Sequence, residues 1–396
     1  MGEKARLRNE LVDGLKARGA VRDGRVEAAL RSVGRHHFLP GRPLEDVYSD
    51  TALATHRDGA GMAISSSSQP AIMAVMLEQL DLAPGHRVLE VGAGTGYNAA
   101  LLGNLVEPGG RVVSVDIDPA IVDEARAGLE RHGAANVEVV AGDGAGGWPS
   151  AAPYDRVIAT CSADEVPAAW VRQLAPGGRV VLPLELTRAV MFSVALEPDG
   201  ACLRSVSTSP CGFMRIRGSL ASGRAEPLRV ADGVFLEAAE RAAGGERVAE
   251  WLDGPCSTTA VTPTGSVEEF FGLRLWLGLV DPGACSMILG PELAEDRRWP
   301  ALWRVGGSAF TVGVLAADGL AVLHRDDDAG PAVLRAYGEP TAAARFERAV
   351  ASWREAGQPG GRGLHVTACP LDVPLEPPPG AHVLRRRFSN LLVELS

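Results

Sequence analysis

Gly92, Gly94 and Gly96 alternate in "VLEVGAGTGYNAALL", after an apolar run of strand character and before a helical one. Glycines placed between a strand and a helix admit unusual backbone angles and let a ligand approach the main chain closely. Where a dinucleotide fingerprint has its last glycine this chain has Tyr97, which argues against a pyrophosphate. Asp116 ends the next strand-like run, twenty positions beyond Gly96, where a carboxylate accepts hydrogen bonds from ribose hydroxyls. Asp143 and Gly144 end a third run, placed to meet an adenine amino group. A nucleoside with a cationic group and no pyrophosphate satisfies the set, and S-adenosylmethionine is the cofactor expected. Its shell is Gly92, Ala93, Gly94, Thr95, Gly96, Asp116, Ile117, Asp143 and Gly144.

A second cluster precedes the first. "AISSSSQP" sets Ser65, Ser66, Ser67 and Ser68 directly before a helical pattern that opens at Pro70. Proline suits a first helical turn, and one hydroxyl just before it is the usual N-cap. Four hydroxyls exceed what a cap needs. Beside a cofactor they can orient a carboxylate by hydrogen bonds without neutralising it, and the N–H groups opening the helix favour an anion. A carboxylate of pKa about 3.9 is already ionised at neutral pH, so its attack on a sulfonium methyl group requires no general base. Ser65, Ser66, Ser67 and Ser68 are the expected carboxylate contacts. No metal set is expected: His36 and His37 are adjacent, a spacing that does not converge on one ion.

These residues need a frame. "HRVLEVG", "RVVSVDID", "NVEVVAGD", "PYDRVIATC" and "RVVLPLEL" read as strands, with helices at the glycine loop, "PAIVDEARAGLERHG" and "EVPAAWVRQLAPGG". That alternation predicts an α/β fold with a doubly wound, mostly parallel sheet. Two amphipathic helices precede it. Beyond Thr187 the rhythm changes to hairpins, "RAVMFSVALEPDGACLRSVST" and a second turning at Asp318-Gly319. Helices follow at "SVEEFFGLRLWLGLV" and "TAAARFERAVASWREAG", and late strands at "GLHVTACPL" and "HVLRRRFSNLLVELS". The expected division is a methyltransferase domain over 1–217 and a C-terminal α+β domain over 218–396, with the seam near 218–228. In "LRRRF", Arg385 and Arg387 share one strand face and Arg386 takes the other, which suits either guidance of an acidic peptide or a charged edge.

With 396 residues, 46% hydrophobic and 22% charged, the chain has the composition of a soluble globular protein. A net charge of −10 argues against nucleic acid as a partner. No apolar run approaches a membrane span. The six cysteines include no CxxC pair and are expected to be reduced thiols in a cytoplasmic protein. Oligomeric state is not legible.

Over roughly residues 5–190 the chain resembles the protein-L-isoaspartate O-methyltransferases, a family of class I S-adenosylmethionine-dependent enzymes. The segments that carry the resemblance are "VGRHHFLP", "VYSDTAL", "VLEVGAGTGYNAALL", "GDGAGGWPSAAPYDRVIAT" and "VPAAWVRQLAPGGRVVLPL", in the family's order. "SSSSQP" stands where the family carries a Thr-Ile-Ser-x-Pro element, so Ser68 matches its active-site serine. The resemblance implies methylation of an aspartyl or isoaspartyl carboxylate of a peptide, followed by succinimide formation. The serine-rich loop and the long C-terminal region are similar to a branch that matures ribosomally made peptide natural products, and repair of damaged protein is the alternative. A nicotinamide-dependent oxidoreductase and a non-catalytic peptide-binding protein are the readings from other classes; Tyr97 argues against the first, and the intact cofactor shell against the second.

Overall fold

The computed structural model of the protein describes residues 2–57, 59, 63–188, 190–221, 226–238, 240–261, 267–290, 292–305, 308–326 and 330–396. Ala189, Ser266 and residues 222–225, which fall within expected elements or the expected seam, lie outside that set. The strands of the first part are β1 (Leu53–Arg57), β2 (Ala63–Ser67), β3 (Arg87–Val91), β4 (Arg111–Asp116), β5 (Val137–Ala141), β6 (Tyr154–Ala159), β7 (Leu174–Thr187), β8 (Val190–Asp199) and β9 (Cys202–Cys211). Those of the second are β10 (Leu228–Ala231), β11 (Val234–Ala238), β12 (Cys256–Ala260), β13 (Ala284–Leu289), β14 (Trp303–Val305), β15 (Ser308–Leu315), β16 (Gly319–His324) and β17 (Val333–Gly338). Three more close the chain: β18 (Leu364–Pro370), β19 (His382–Arg385) and β20 (Ser389–Leu395). The helices are α1 (Glu3–Ala17), α2 (Gly24–Ser32), α3 (Leu44–Val47), α4 (Pro70–Leu80), α5 (Tyr97–Val106), α6 (Pro119–His132), α7 (Ala168–Arg172), α8 (Gly245–Asp253), α9 (Val267–Val280) and α10 (Thr341–Glu355).

Ten strands form the first sheet in the order β19-β20-β18-β9-β8-β7-β6-β3-β4-β5. From β7 to β5 they are parallel, as the alternating pattern predicts. Side chains of successive strand residues point to opposite faces, and here both faces are covered. Val88, Val112 and Ile158 pack in the layer of α2, α4, α5 and α6, while Leu89, Val113 and Val157 pack in the layer of α7. The chain runs β3, β4, β5 in one direction and then crosses to place β6 on the other side of β3. That reversal leaves a crevice at the carboxyl ends of β3 and β6, where ligands bind in open α/β sheets. The helix read over Glu165–Gly178 is shorter: α7 opens after Pro167 and ends at Arg172, and β7 takes in the Pro-Gly-Gly stretch.

The second sheet is antiparallel, in the order β10-β11-β13-β15-β16-β17-β12 with β14 beside β15. Phe270 and Leu273 of α9 and Phe346 and Trp353 of α10 cover one face. Val248 and Trp251 of α8 cover the other. The division at 217/218 needs correction in one respect. β18 pairs with β9, so residues 364–395 return to the first sheet and the second sheet is inserted between β9 and β18. A period-two pattern identifies a strand but not the edge it joins. "HVLRRRFSNLLVELS" likewise becomes two strands, with a turn closed by Arg386 N–H donating to Ser389 O.

The expectation of six reduced thiols is also overturned. Cys202 and Cys369, neighbours on β9 and β18, form a disulfide across the insertion. Thiol titration of the unfolded, unreduced protein should find four thiols, those of Cys161, Cys211, Cys256 and Cys285. Cys202→Ser should lower unfolding stability by about 2 kcal/mol, the low end of the usual range, because the inserted sheet already ties the loop together. Among the described residues no helix is long and apolar enough to cross a membrane.

Candidate active site

The glycine loop sits at the crevice between β3 and β6. Gly92 and Gly94 have φ of +99° and +51°, which glycine alone adopts without strain. A Cβ at Gly92 would lie 2.6 Å from Thr160 Oγ1, and one at Gly94 3.3 Å from the carbonyl oxygen of Ser66. The glycine loop and the serine segment are therefore in contact. They line one cavity of about 730 Å³, together with Ala93, Thr95, Asp116, Ile117 and Gly144. Gly96 is not in the cavity wall. It precedes α5, and a Cβ there would stand 3.0 Å from Ala125 O, so its task is to let α6 pack closely.

Asp116 is nine-tenths buried; its carboxylate accepts from Gly94 N–H and Asp118 N–H, both at 3.2 Å. Asp143 is placed differently from the expectation. Its carboxylate accepts from Ala145 N–H at 3.0 Å and Ser219 N–H at 2.8 Å, and it is not among the cavity-lining residues. Burial works against its ionisation, but those N–H groups and the Ser219 hydroxyl outweigh it and hold the carboxyl below its ordinary value. Ser219 belongs to a strap, residues 212–221, that crosses the pocket mouth after β9. Arg217 of the strap lies 3.8 Å from Asp116 and 3.6 Å from Asp118, and Gly218 leaves no room for a Cβ beside Asp143 and Ile117. In sequence the strap is an irregular stretch, and nothing in it signals its partners.

Three of the four serines are in a strand, and Ser68 follows it in the link to α4. Ser65–Ser67 end β2, which pairs with β1, and Ser65 and Ser67 are buried while all four line the cavity. None caps α4: Gln69 is the N-cap and makes no side-chain cap bond, and Asp50 Oδ1 accepts from Ala71 N–H at 2.9 Å. The anion-favouring end of that helix is thus already occupied by the chain's own carboxylate. Behind the serines lies Arg35, fully buried. Its guanidinium donates to Ser67 Oγ at 3.2 Å and to the carbonyl oxygens of Ser67 and Ser68 at 3.2 and 2.9 Å. The carbonyl oxygens of Val47, Ser49 and Thr51 take the rest. No local signal in the sequence marks Arg35, as it does its neighbours His36 and His37, because its partners lie 12 to 33 positions downstream. Those rings stack 4.1 Å apart, with His36 Nδ1 2.7 Å from the Tyr48 hydroxyl, and burial next to His37 lowers the His36 pKa to about 4.

The inserted unit roofs the cavity. Glu237 of β11, Arg274 of α9, Ser286 and Ile288 of β13 and Phe310 of β15 all line it. Arg215 of the strap joins the two units, pairing with buried Glu185 of β7 at 3.2 Å and with Glu237 at 3.4 Å. Cys161 is in the wall, but burial, then Asp116 and Glu90, push its thiol up to about 12, so it is not a nucleophile.

Beneath the glycine loop Glu90 is fully buried and accepts from Asn98 Nδ2 at 2.7 Å and from the Ser114 hydroxyl. Burial raises its pKa to about 7 against those two bonds. The unfolded carboxyl loses its proton near its ordinary 4.5 and the folded one near 7, so the folded state binds more protons between these values and stability falls as pH rises through them. Glu90→Gln keeps both hydrogen bonds and removes the titration. Urea unfolding should show the variant gaining roughly 2–3 kcal/mol on the wild type between pH 5 and pH 8. Parallel curves for the two proteins would refute that assignment.

The cavity fits the expected cofactor. Backbone without side chains at Gly92 and Gly94 gives a ligand room against the main chain, and the Asp116 carboxylate at the end of β4 faces the same space. A parallel sheet with a switch point, a glycine loop and an acidic strand end define a class I S-adenosylmethionine-dependent methyltransferase. Residues 5–214 match the family described as Protein-L-isoaspartate(D-aspartate) O-methyltransferase (PCMT), and the chain belongs to that family. A protein named Protein-L-isoaspartate O-methyltransferase from Methanopyrus kandleri is 44% identical over 215 residues, covering 54% of this chain and 92% of the relative. Another of that name from Methanoregula boonei is 40% identical over 211 residues, covering 53% and 93%. A solved structure, also titled protein-L-isoaspartate O-methyltransferase, is 27% identical with a TM-score of 0.51 and covers 91% of this chain and 96% of its own. The inserted unit therefore has a counterpart in that structure.

Proposed function

We propose that the chain methylates the free carboxylate of L-isoaspartyl residues in peptides and proteins, with Ser68 and its neighbours as the acceptor site. The observation that carries this reading is the contact between the serine strand and the glycine loop in one cavity. When bound, S-adenosylmethionine supplies a sulfonium methyl group. The serine hydroxyls hold the acceptor carboxylate, Arg35 fixes their carbonyls, and strap and roof exclude water. Positioning and desolvation of this kind lower barriers by up to about 7–11 kcal/mol in favourable cases, with no base required. In the methyl ester, the next backbone nitrogen displaces methanol to close a succinimide, which water opens to aspartyl or isoaspartyl linkages.

The name borne by the relatives supports the isoaspartyl acceptor, and the extended solved structure of the same name removes the reason to tie the long C-terminal region to natural-product maturation. Maturation of one dedicated precursor peptide is the second reading, favoured by a roof that brings Glu237, Arg274 and Phe310 over the acceptor site. Methyl transfer from labelled S-adenosylmethionine to matched isoaspartyl and aspartyl peptides, beside a cyclised precursor, separates them. Turnover of the simple isoaspartyl peptide is expected; turnover of the precursor alone would establish the second reading.

A further inference from the structure

The roof of the active-site cavity is not uniform along its sheet. In an antiparallel pair, directly opposed residues share a face. Phe235 of β11 is opposed to Ile288 of β13, Ile288 to Phe310 of β15, and Phe310 to Trp303 of β14, so four side chains form one row across four strands. α9 packs on the far end of that row: the Phe270 ring lies 5.9 Å from Trp303 and 6.4 Å from Phe310. Ile288 is left 39% exposed, although β13 has a neighbouring strand on either side. A bulky aliphatic side chain inside a sheet ordinarily lies under a packed layer. Here the cavity takes the place of that layer, since Ile288 and Phe310 both line it. Met191 of β8 and Phe213 of the strap line it from the first unit. The space thus has apolar side chains from both units, and methionine adapts to ligands of different shape.

The place of this apolar bay separates it from the cofactor. One row along the same face, Glu237 and Ser286 are opposed and also line the cavity, and Arg215 ties Glu237 to Glu185 of β7. Asp116 ends β4, three strands from β7 in the first sheet, which is about 14 Å at the usual strand spacing. The serine strand meets the glycine loop after β3, between the two. The roof row therefore extends the acceptor site away from the cofactor, where the residues flanking the acceptor in a bound peptide have to run.

We propose that Ile288 and Phe310 form a subsite for a bulky apolar side chain directly flanking the methyl-accepting residue, so that this chain selects carboxylates set beside residues such as leucine. The assignment rests on the peptide methyltransferase reading above. Apolar surface leaves water on both partners when such a side chain enters, and full burial of a leucine raises affinity by about ten- to a hundred-fold.

The test uses the full chain with S-adenosylhomocysteine present and reads fluorescence anisotropy of labelled isoaspartyl peptides capped at both ends. One carries leucine before the acceptor, one leucine after it, and one alanine at both places. At least one leucine peptide should bind about ten-fold tighter than the alanine peptide, and which of them does gives the direction in which the peptide crosses the roof. Ile288→Thr keeps a β-branched strand residue and removes apolar surface, and should reduce the leucine advantage to about three-fold or less. Ile288→Trp fills the bay and should abolish the advantage by exclusion. Equal affinity of all three peptides for the wild type overturns the proposal, as does a ten-fold advantage that survives in either variant. Loss of all peptide binding in both variants overturns it too, because Ile288 would then be holding the roof in place. Methyl transfer is measured on the same peptides. A leucine preference in binding without turnover of any isoaspartyl peptide would refute the isoaspartyl reading and leave the subsite standing. Isoaspartyl turnover indifferent to the flanking residue would refute the subsite alone.

Discussion

Arg35→Met should lower the stability of the protein by roughly 4–5 kcal/mol and reduce kcat/KM for an isoaspartyl peptide by about a hundred-fold or more. The side chain is fully buried and donates to six oxygen atoms, five of them carbonyls of residues 47–68. Methionine fills much of the volume and supplies no donor. Each buried acceptor left without one costs about 1–3 kcal/mol, though some will turn toward water. Activity is expected to fall as well as stability, because the carbonyls released include those of Ser67 and Ser68 in the acceptor site. Affinity for S-adenosylmethionine should change by no more than about three-fold, since Arg35 donates no hydrogen bond to Gly92–Gly96 or Asp116 and approaches that side only over the Tyr97 ring, at 5.9 Å. Arg35→Lys restores part of the charge but not the fork, and should fall between the two. Urea unfolding, calorimetric cofactor titration and peptide kinetics on the three proteins decide the matter. Wild-type stability in the methionine variant would mean that the carbonyls find other partners.

How far this site can be read without coordinates depends on the range over which its residues act. The glycine loop is legible because strand, loop and helix are consecutive, and the requirement for positive φ at Gly92 and Gly94 acts within three residues. Asp116 is legible for the same reason: a strand end at a fixed distance from the loop. Ser65–Ser68 are legible as a cluster, but the strand conformation of Ser65–Ser67 is imposed by pairing with β1, and Ser67 and Ser68 are held by Arg35, more than thirty residues upstream. Asp50 takes the capping role that local rules give to a serine, because a carboxylate brought in by tertiary structure competes with a hydroxyl already there. Asp143 is diverted by a strap whose sequence has no periodic signal. In the fold the same distinction holds. The parallel core follows from local alternation of strand and helix, whereas the return of β18 to β9 and the Cys202–Cys369 bond join positions 167 residues apart. No spacing rule specifies such a pairing, since six cysteines allow many.

Asp116→Ala should weaken S-adenosylmethionine binding by roughly a hundred- to a thousand-fold, on the reading that this carboxylate accepts both ribose hydroxyls. Hydrogen bonds to a charged acceptor contribute about 1.5–3 kcal/mol each, and two of them in a nine-tenths buried site account for a loss of that size. The carboxylate also accepts from Gly94 N–H and Asp118 N–H, so alanine frees two loop donors at the same time. Asparagine separates the two contributions. It keeps one carbonyl acceptor for the loop and loses the charge, and a weakening of about ten-fold is expected. Asp118→Asn is the control for the strap: Arg217 lies 3.6 Å from Asp118, so this change alters the strap's charge pairing while leaving the ribose acceptor in place. Its affinity should stay within about three-fold of the wild type, because an exposed pair of this kind contributes at most about 1 kcal/mol. If alanine at 116 binds the cofactor as the wild type does, the ribose assignment is wrong and the carboxylate serves only to fold the loop. If the asparagine at 118 is instead the damaging change, the strap, held through Arg217, controls retention of the cofactor.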